Sequence, residues 1–470
     1  MLNISRAGAI VIAALAFFAG CATYSPKPLL PEKTARQFEA RSLASPALRK
    51  FAEANLKRHI TPWPPAKWDI NTLSLAAFYY NPGLDTARWR LQETRASVIT
   101  AGERPNPSVS VSPEYVTNLS PGSEPWILGF SFDIPIETAG KRGYRIAEAK
   151  GRTKAARYAL AEAAWKVRSA LRGAMLDYFA ATGRYNMLLE QVRIDRETLS
   201  VLKARLAAGE VSEPDVTLAS VDYDRTLLLA REGKSRIIDA RANIASAIGV
   251  PVKALEGIRF SLGLFRTPPP RNSFSLPGLR RKALTNRPDI LEALAQYEAS
   301  QSRLQLEIAK QYPDIHIGPG YRYDQGQNKW GLGISLELPV MNHNQGPIAQ
   351  AEAARSREAA HLRAIQDGVI TDIERAVAGY GSSLESLKTA DELVREKEAS
   401  LSSLESMFNV GETDRPALLG GEIEYENARL LRLESLVNAD RALGLLEDAL
   451  EEPMAGRAGR EPASGFRPEN

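Results

Sequence analysis

The chain has 470 residues, 44% of them hydrophobic, and a net charge of only +4. That is enough apolar material for a large ordered structure, and a charge so near balance leaves no electrostatic footprint for a nucleic-acid partner. The single cysteine, Cys21, excludes a disulfide framework and a thiolate metal site.

Residues 1–20 carry Arg6 and then an apolar run over 7–20. This is the pattern of a secretory signal, and it is too short to cross a membrane as a helix. The run ends Phe18-Ala19-Gly20-Cys21, which resembles a bacterial lipoprotein cleavage site. That resemblance implies lipidation of Cys21 and, because Ala22 follows instead of Asp, sorting to the outer membrane. Acyl chains at about 0.8 kcal/mol per buried methylene would hold the chain there. The competing reading is an ordinary signal cut nearby, with Cys21 a bystander. Residues 21–71 are expected to form a lipidated extended segment, whose Pro-rich, basic part over 22–65 wraps outside an assembly.

A helical stretch is expected over 72–103, followed by two strands at about 107–116 and 126–136. In the first, Val109, Val111 and Tyr115 alternate with Ser108, Ser110, Ser112 and Glu114. In the second, Trp126, Leu128, Phe130, Phe132, Ile134 and Ile136 alternate with Gly129, Ser131 and Asp133. Period two gives one apolar and one polar face. Each run is also about the 9–11 residues that a tilted strand needs to cross a bilayer.

An Ala-rich, proline-free stretch follows over 143–208. Leu171, Tyr178, Tyr185, Val192, Leu199 and Leu206 stand seven apart in it, the spacing of left-handed coiled packing. It ends at Gly209-Glu210-Val211-Ser212, where Gly favours a helix C-terminus. Ser212 and Asp215 then form a capping box around Pro214 for a return helix over 214–249.

After a linker at 251–275 the order begins again. Asn81-Pro82 recurs as Arg287-Pro288, and Pro107 to Tyr115 recurs as Pro313 to Tyr321, both displaced by 206 (288 − 82 and 313 − 107). Gly209-Glu210, Pro214 and Tyr223 recur as Gly411-Glu412, Pro416 and Tyr425, displaced by 202 (411 − 209). The second copy is expected as a helical stretch over 276–310 and strands at about 313–323 and 330–340. A long helix with heptads Ile373, Tyr380, Leu387, Val394, Leu401 and Phe408 and a return helix over 416–451 complete it. The two structural repeats thus span 72–250 and 276–452, and a disordered tail is expected over 453–470. Units of roughly 20–50 residues would mark a solenoid; this is a duplicated half-molecule.

The alternation alone also fits a soluble antiparallel sheet with one buried face. The lipidation signal favours the membrane instead. Four strands cannot close a membrane barrel by themselves, so several chains are expected to contribute. Tyr115, Trp126, Tyr321, Tyr323 and Trp330 cluster near the connecting loops, like an interfacial belt.

These features together resemble the TolC-like outer-membrane efflux proteins: the duplicated Pro start, the paired strands and the Gly-tipped hairpins. The resemblance covers about 72–451. It implies a mainly α fold with transmembrane β, in which a homotrimer forms a twelve-stranded barrel above a tunnel of long helices. It also implies a non-enzymatic exit duct without cofactor, joined through a periplasmic adaptor to an inner-membrane pump, expected to be proton-driven. Pro105-Asn106-Pro107, Gly140-Lys141-Arg142-Gly143 and Asn342-His343-Asn344-Gln345-Gly346 look most like the branch serving heavy-metal cation pumps. The residues add no ligand set of their own, since His59, His316, His343 and His361 are scattered. Both Gly-containing basic stretches read as junction turns, because neither has the phosphate-cradling pattern.

The resemblance puts the entrance and the adaptor contact at the hairpin tips, on Gly209, Glu210, Ser212, Glu213, Asp215, Gly411, Glu412, Thr413, Asp414 and Arg415. A threefold ring of Glu210, Asp215 and Glu412 would favour cations and invite pairing with Arg415; the plainer reading is that these are caps and solvated turn residues. Ser110, Asp133, His316 and Glu337 are expected to line the barrel lumen. The rival functions are a drug-efflux or type I secretion duct of the same fold and a lipid-anchored periplasmic coiled-coil scaffold.

Overall fold

A computed structural model describes residues 22–118, 122, 124–271 and 275–454. Cys21, the signal at 1–20 and residues 455–470 lie outside it. The chain falls into two units, Met1–Ser42 and Leu43–Asn470. In the described part of the first stands α1 (Pro31–Glu39). The second contains α2 (Pro46–Leu56), α3 (Ile70–Tyr80), α4 (Pro82–Gly102), β1 (Ser108–Tyr115), β2 (Trp126–Ile136), α5 (Lys141–Ala207) and α6 (Glu213–Ile248). The order then repeats as α7 (Leu276–Asn286), α8 (Pro288–Ala309), β3 (Ile315–Asp324), β4 (Gln327–Leu336), α9 (Gln345–Asn409) and α10 (Arg415–Leu450).

Several expectations need correction. The segment over 21–71 is not extended throughout, since α1 and α2 form there, each with proline in its first turn where a missing N–H costs nothing. The stretches 72–103 and 276–310 are each two helices. The Pro82 and Pro288 rings remove an N–H and bias the preceding residue away from the helix, and Asn81 and Arg287 are extended at ψ 121° and 128°. The tail at 453–470 is not wholly loose either: Met454 is buried, and its N–H donates to the Glu447 carboxylate at 3.1 Å.

The linker contributes to the core through its described residues 251–271. Trp68 forms a parallel bridge with Phe260, and Leu255 and Phe265 are fully buried. They join Leu73, Leu171, Met175, Ile244 and Ile248 at the root of the first hairpin, together with Leu433 and Val437 from α10. A second cluster of Ile290, Ile373, Tyr380, Leu443, Leu446 and Leu450 fills the root of the second. α5 and α9, of 67 and 65 residues, are each about 100 Å long at 1.5 Å per residue and pass through these roots near their middles. Heptad burial fades along them: Ile373, Tyr380 and Leu387 are buried, whereas Phe408 near the tip is exposed.

The strands form one antiparallel sheet in the order β1-β2-β3-β4. The fourth strand begins earlier than expected and ends at Leu336, because β3 and β4 meet in a two-residue turn. Gln325 and Gly326 take φ of 49° and 86° there, and Asp324 pairs with Gln327. Both signs are those of a primed hairpin turn, whose twist matches the flanking strands.

Arg172 of α5 lies in a notch of α10. A β-carbon at Gly444 would overlap its guanidinium, whose Nη1 donates to the Asp440 carbonyl at 3.2 Å while Nε stands 3.5 Å from Glu447. Both charges are buried. Gly444→Ala is therefore expected to destabilise the protein by about 1–3 kcal/mol, measured by thermal unfolding; unchanged melting would show that the notch is not needed.

Candidate functional site

The hairpin tips are built alike. Each outgoing helix ends on a left-handed glycine, Gly209 at φ 77° and Gly411 at φ 81°. The N–H groups of Glu210 and Glu412 donate back to the carbonyls of Arg205 and Met407, both at 2.9 Å. This bonding satisfies carbonyls that the helix end leaves free. One return helix starts at Ser212, whose N–H and hydroxyl both donate to Asp215 Oδ2, at 2.9 and 2.5 Å. The other starts at Asp414, which accepts from the Ala417 N–H at 3.0 Å.

Asp215 and Asp414 are therefore occupied as caps. The Ser212 hydroxyl, then the Ser212 N–H, holds the Asp215 carboxyl below its usual range. The Ala417 N–H, with help from Arg205, does the same for Asp414. Glu210, Glu213 and Glu412 remain exposed.

Arg415 does not pair with Glu210, Asp215 or Glu412, as the ring reading invited. Its Nη2 lies 2.5 Å from Glu197, its Nη1 lies 3.6 Å from Glu422, and its guanidinium stacks over Phe408. Arg193 reaches the same two carboxylates, at 3.1 and 2.7 Å. Arg205 ties to Asp414 at 3.0 Å, and Thr413 stands half-buried beside that tie. The first hairpin is thus clasped to the second by alternating charges. Sequence spacing gave no sign of the pairs that cross between hairpins, Arg415–Glu197, Arg193–Glu422 and Arg205–Asp414, because their partners lie more than two hundred residues apart.

At the other end, register puts Ser110, Asp133 and His316 on the polar face of the sheet: Ser108 pairs with Asp133, Ser110 with Ser131 and His316 with Ser335. His316 Nδ1 lies 2.9 Å from Asp133. Glu337 falls one residue beyond β4 and is not on that face as a strand residue. On the opposite face Val111, Phe130, Phe132, Leu332 and Ile334 are bare, with Leu332 68% exposed and Trp330 81% exposed. Two cross-strand aromatic pairs, Tyr115–Trp126 and Tyr321–Trp330, stand at the loop ends with centroids 5.0 and 4.9 Å apart. The junction turns are structural: Lys141 Nζ donates to the Tyr312 carbonyl at 2.6 Å and to Asp314 at 2.8 Å, and Asn344 Nδ2 donates to the Glu307 carbonyl at 2.7 Å.

The profile of outer membrane efflux proteins matches residues 76–250 and 279–450, one block on each repeat. The chain belongs to the outer membrane efflux protein family. Its place is the outer membrane, reaching into the periplasm, and it is a transport component, not an enzyme. It is similar to the cobalt-zinc-cadmium resistance protein CzcC of Cupriavidus metallidurans, 26% identical over 281 residues. That match spans 59% of this chain and 64% of CzcC, just under two-thirds of the relative. It is also similar to the pyoverdine export outer membrane protein OpmQ of Pseudomonas aeruginosa, 24% identical over 80% of this chain and 85% of OpmQ. Among solved structures, the outer membrane protein VceC of Vibrio cholerae has the same fold, with a TM-score of 0.66 and 18% identity over 83% of this chain and 99% of VceC.

The depressed acidities give the tip a definite pH response. A carboxylate whose folded-state value is lowered stabilises above the ordinary range and loses that contribution as pH falls through the lowered value. The Asp215 and Asp414 caps are thus expected to hold unchanged from pH about 8 to about 5 and to fail only in stronger acid. NMR titration of the two carboxyls checks this, and a midpoint at or above the ordinary Asp value would contradict it.

Proposed function

We propose that this chain is the exit duct of a tripartite efflux system, a homotrimer joined through a periplasmic adaptor to a proton-driven inner-membrane pump. The observation that carries the reading is the sheet. Its apolar face is bare on β1, β2 and β4 and half-covered on β3, and among the described residues neither β1 nor β4 has a partner on its outer side. A soluble sheet would bury that face. In lipid the face is solvated, but the free edges are not permitted. Three copies, each giving four strands, close a twelve-stranded barrel that removes both edges. The polar face, with Ser110, Asp133 and His316, then lines the lumen, and the α5–α6 and α9–α10 hairpins continue the duct below. Lipid on Cys21 anchors each chain beside it.

Heavy-metal cations are the proposed cargo. Similarity to CzcC supports this reading, and the exposed Glu210 and Glu412 at the tips suit a cation path once repeated three times. The clasp and the caps leave Glu412 free and hold Glu210 only by a long contact of 3.9 Å to Arg205, so the selective carboxylates are Glu412 and Glu210 more than Asp215. Similarity to OpmQ over more of the chain favours a second reading, export of a small organic chelator.

Deletion of the gene is expected to sensitise cells selectively to zinc, cobalt or cadmium, with tolerance restored by the intact chain and only in part by Glu210→Ala with Glu412→Ala. Growth across those salts, dyes, detergents and antibiotics measures it. Sensitivity confined to organic compounds would remove the metal reading, and full rescue by the double variant would remove the tip carboxylates from it.

A further inference from the structure

The duplication allows each hairpin root to be compared with its counterpart. In the first repeat Asn81 donates from Nδ2 to the Ala247 carbonyl at 3.2 Å, beside Gly249, whose φ of 86° ends α6. In the second Arg287 donates from Nη1 to the Ala449 carbonyl at 2.6 Å, beside Glu451, whose φ of 50° ends α10. These positions correspond at the same offsets of 206 and 202 (287 − 81 and 451 − 249). A neutral Asn–Gly joint has been exchanged for an ionisable Arg–Glu joint, and a glutamate now holds a left-handed conformation that disfavours side chains.

The charges at this joint do not balance. Arg287 donates from the Nε–Nη2 edge of its guanidinium to Asp289, at 2.9 and 2.6 Å, and reaches Glu451 Oε1 only at 3.4 Å. Glu451 Oε2 is buried without a hydrogen-bond partner, on a side chain 7% exposed. The other neighbouring cations are engaged elsewhere: buried Arg168 of α5 lies over Trp165, with its charge next to Glu447 and Asp448. On α5, Glu162 and Lys166 pair with each other. Asp448 on α10 is taken by Trp165 and Ser169 of α5, at 3.1 and 2.8 Å. Lys282 of α7 pairs with Glu452 at 2.8 Å, while Glu292 on α8 and Asp372 on α9 add further negative charge nearby.

We propose that Glu451 is a proton-operated catch at the root of the second hairpin: protonated, it keeps the end of α10 docked against Arg287 and Asp289; ionised, it loosens that end. Burial first, and Asp289 next, push its carboxyl up to about 7 against the pull of Arg287. For an acid raised in the folded state, docking is fully favoured below the ordinary value of 4.5 and is lost as pH rises through about 7. The first hairpin, with Asn81 and Gly249, has no such response. Periplasmic acidity thus sets the hold on one hairpin of each pair.

Amide hydrogen exchange on the assembled full chain tests this directly. The N–H groups of Glu451, Glu452 and Met454 close the end of α10 through the Asp448 carbonyl, the Glu447 carbonyl and the Glu447 carboxylate, at 3.3, 3.2 and 3.1 Å. Their protection, corrected for intrinsic rate, is expected to fall roughly tenfold or more between pH about 5.5 and about 8. It should hold within about twofold in Glu451→Gln and in Glu451→Gly, the latter copying the first repeat. Should the Gln variant fail to assemble, the Gly variant decides. Protection independent of pH in the unchanged chain, or the same fall in either variant, overturns the catch.

Discussion

A strand in hydrocarbon must have every backbone N–H and C=O paired, because no water is present to pair them. That constraint governs the molecule. One chain supplies four hydrogen-bonded strands with a lipid-ready face and two open edges. It supplies no fifth strand among its described residues to close them. On the proposed reading, further copies close the sheet, and the polar faces and the helices below them then surround a path. On that reading the duct follows from hydrogen-bond satisfaction before any substrate is considered.

The helices answer a different demand. They stand in water, so packing must hold them, and the apolar cores gather at the two roots. Towards the tips the hairpins are also joined by ion pairs such as Arg415–Glu197 and Arg193–Glu422, beside the buried Leu418 and Leu419. Pairs as exposed as these contribute about 0–1 kcal/mol each. A clasp made of them is easier to open than a packed core.

Much of this was legible in the chain. Period-two alternation located the strands, heptads located the long helices, and the internal repeat checked each against the other. The capping box of Ser212 and Asp215 was legible because it is local. Breaks at Pro82 and Pro288 were also written in the chain, but the surrounding apolar pattern ran through them. The early start of β4 was hidden because Gln325-Gly326 is a weaker turn signal than Asn-Gly. Contacts between hairpins were not legible at all. Arg415 next to Glu210, Asp215 and Glu412 looked like their partner, yet the packing of α5 on α10 presents Glu197 instead. The unequal roots show what duplication adds: Glu451 is informative because Gly249 shows what the joint needs without it.

On the proposed reading, three copies close one duct. Native mass spectrometry of the protein extracted from outer membranes measures the number of chains directly. The account predicts a single assembly of three chains, each with its lipid. A monomer, or an assembly of any other number, would contradict it.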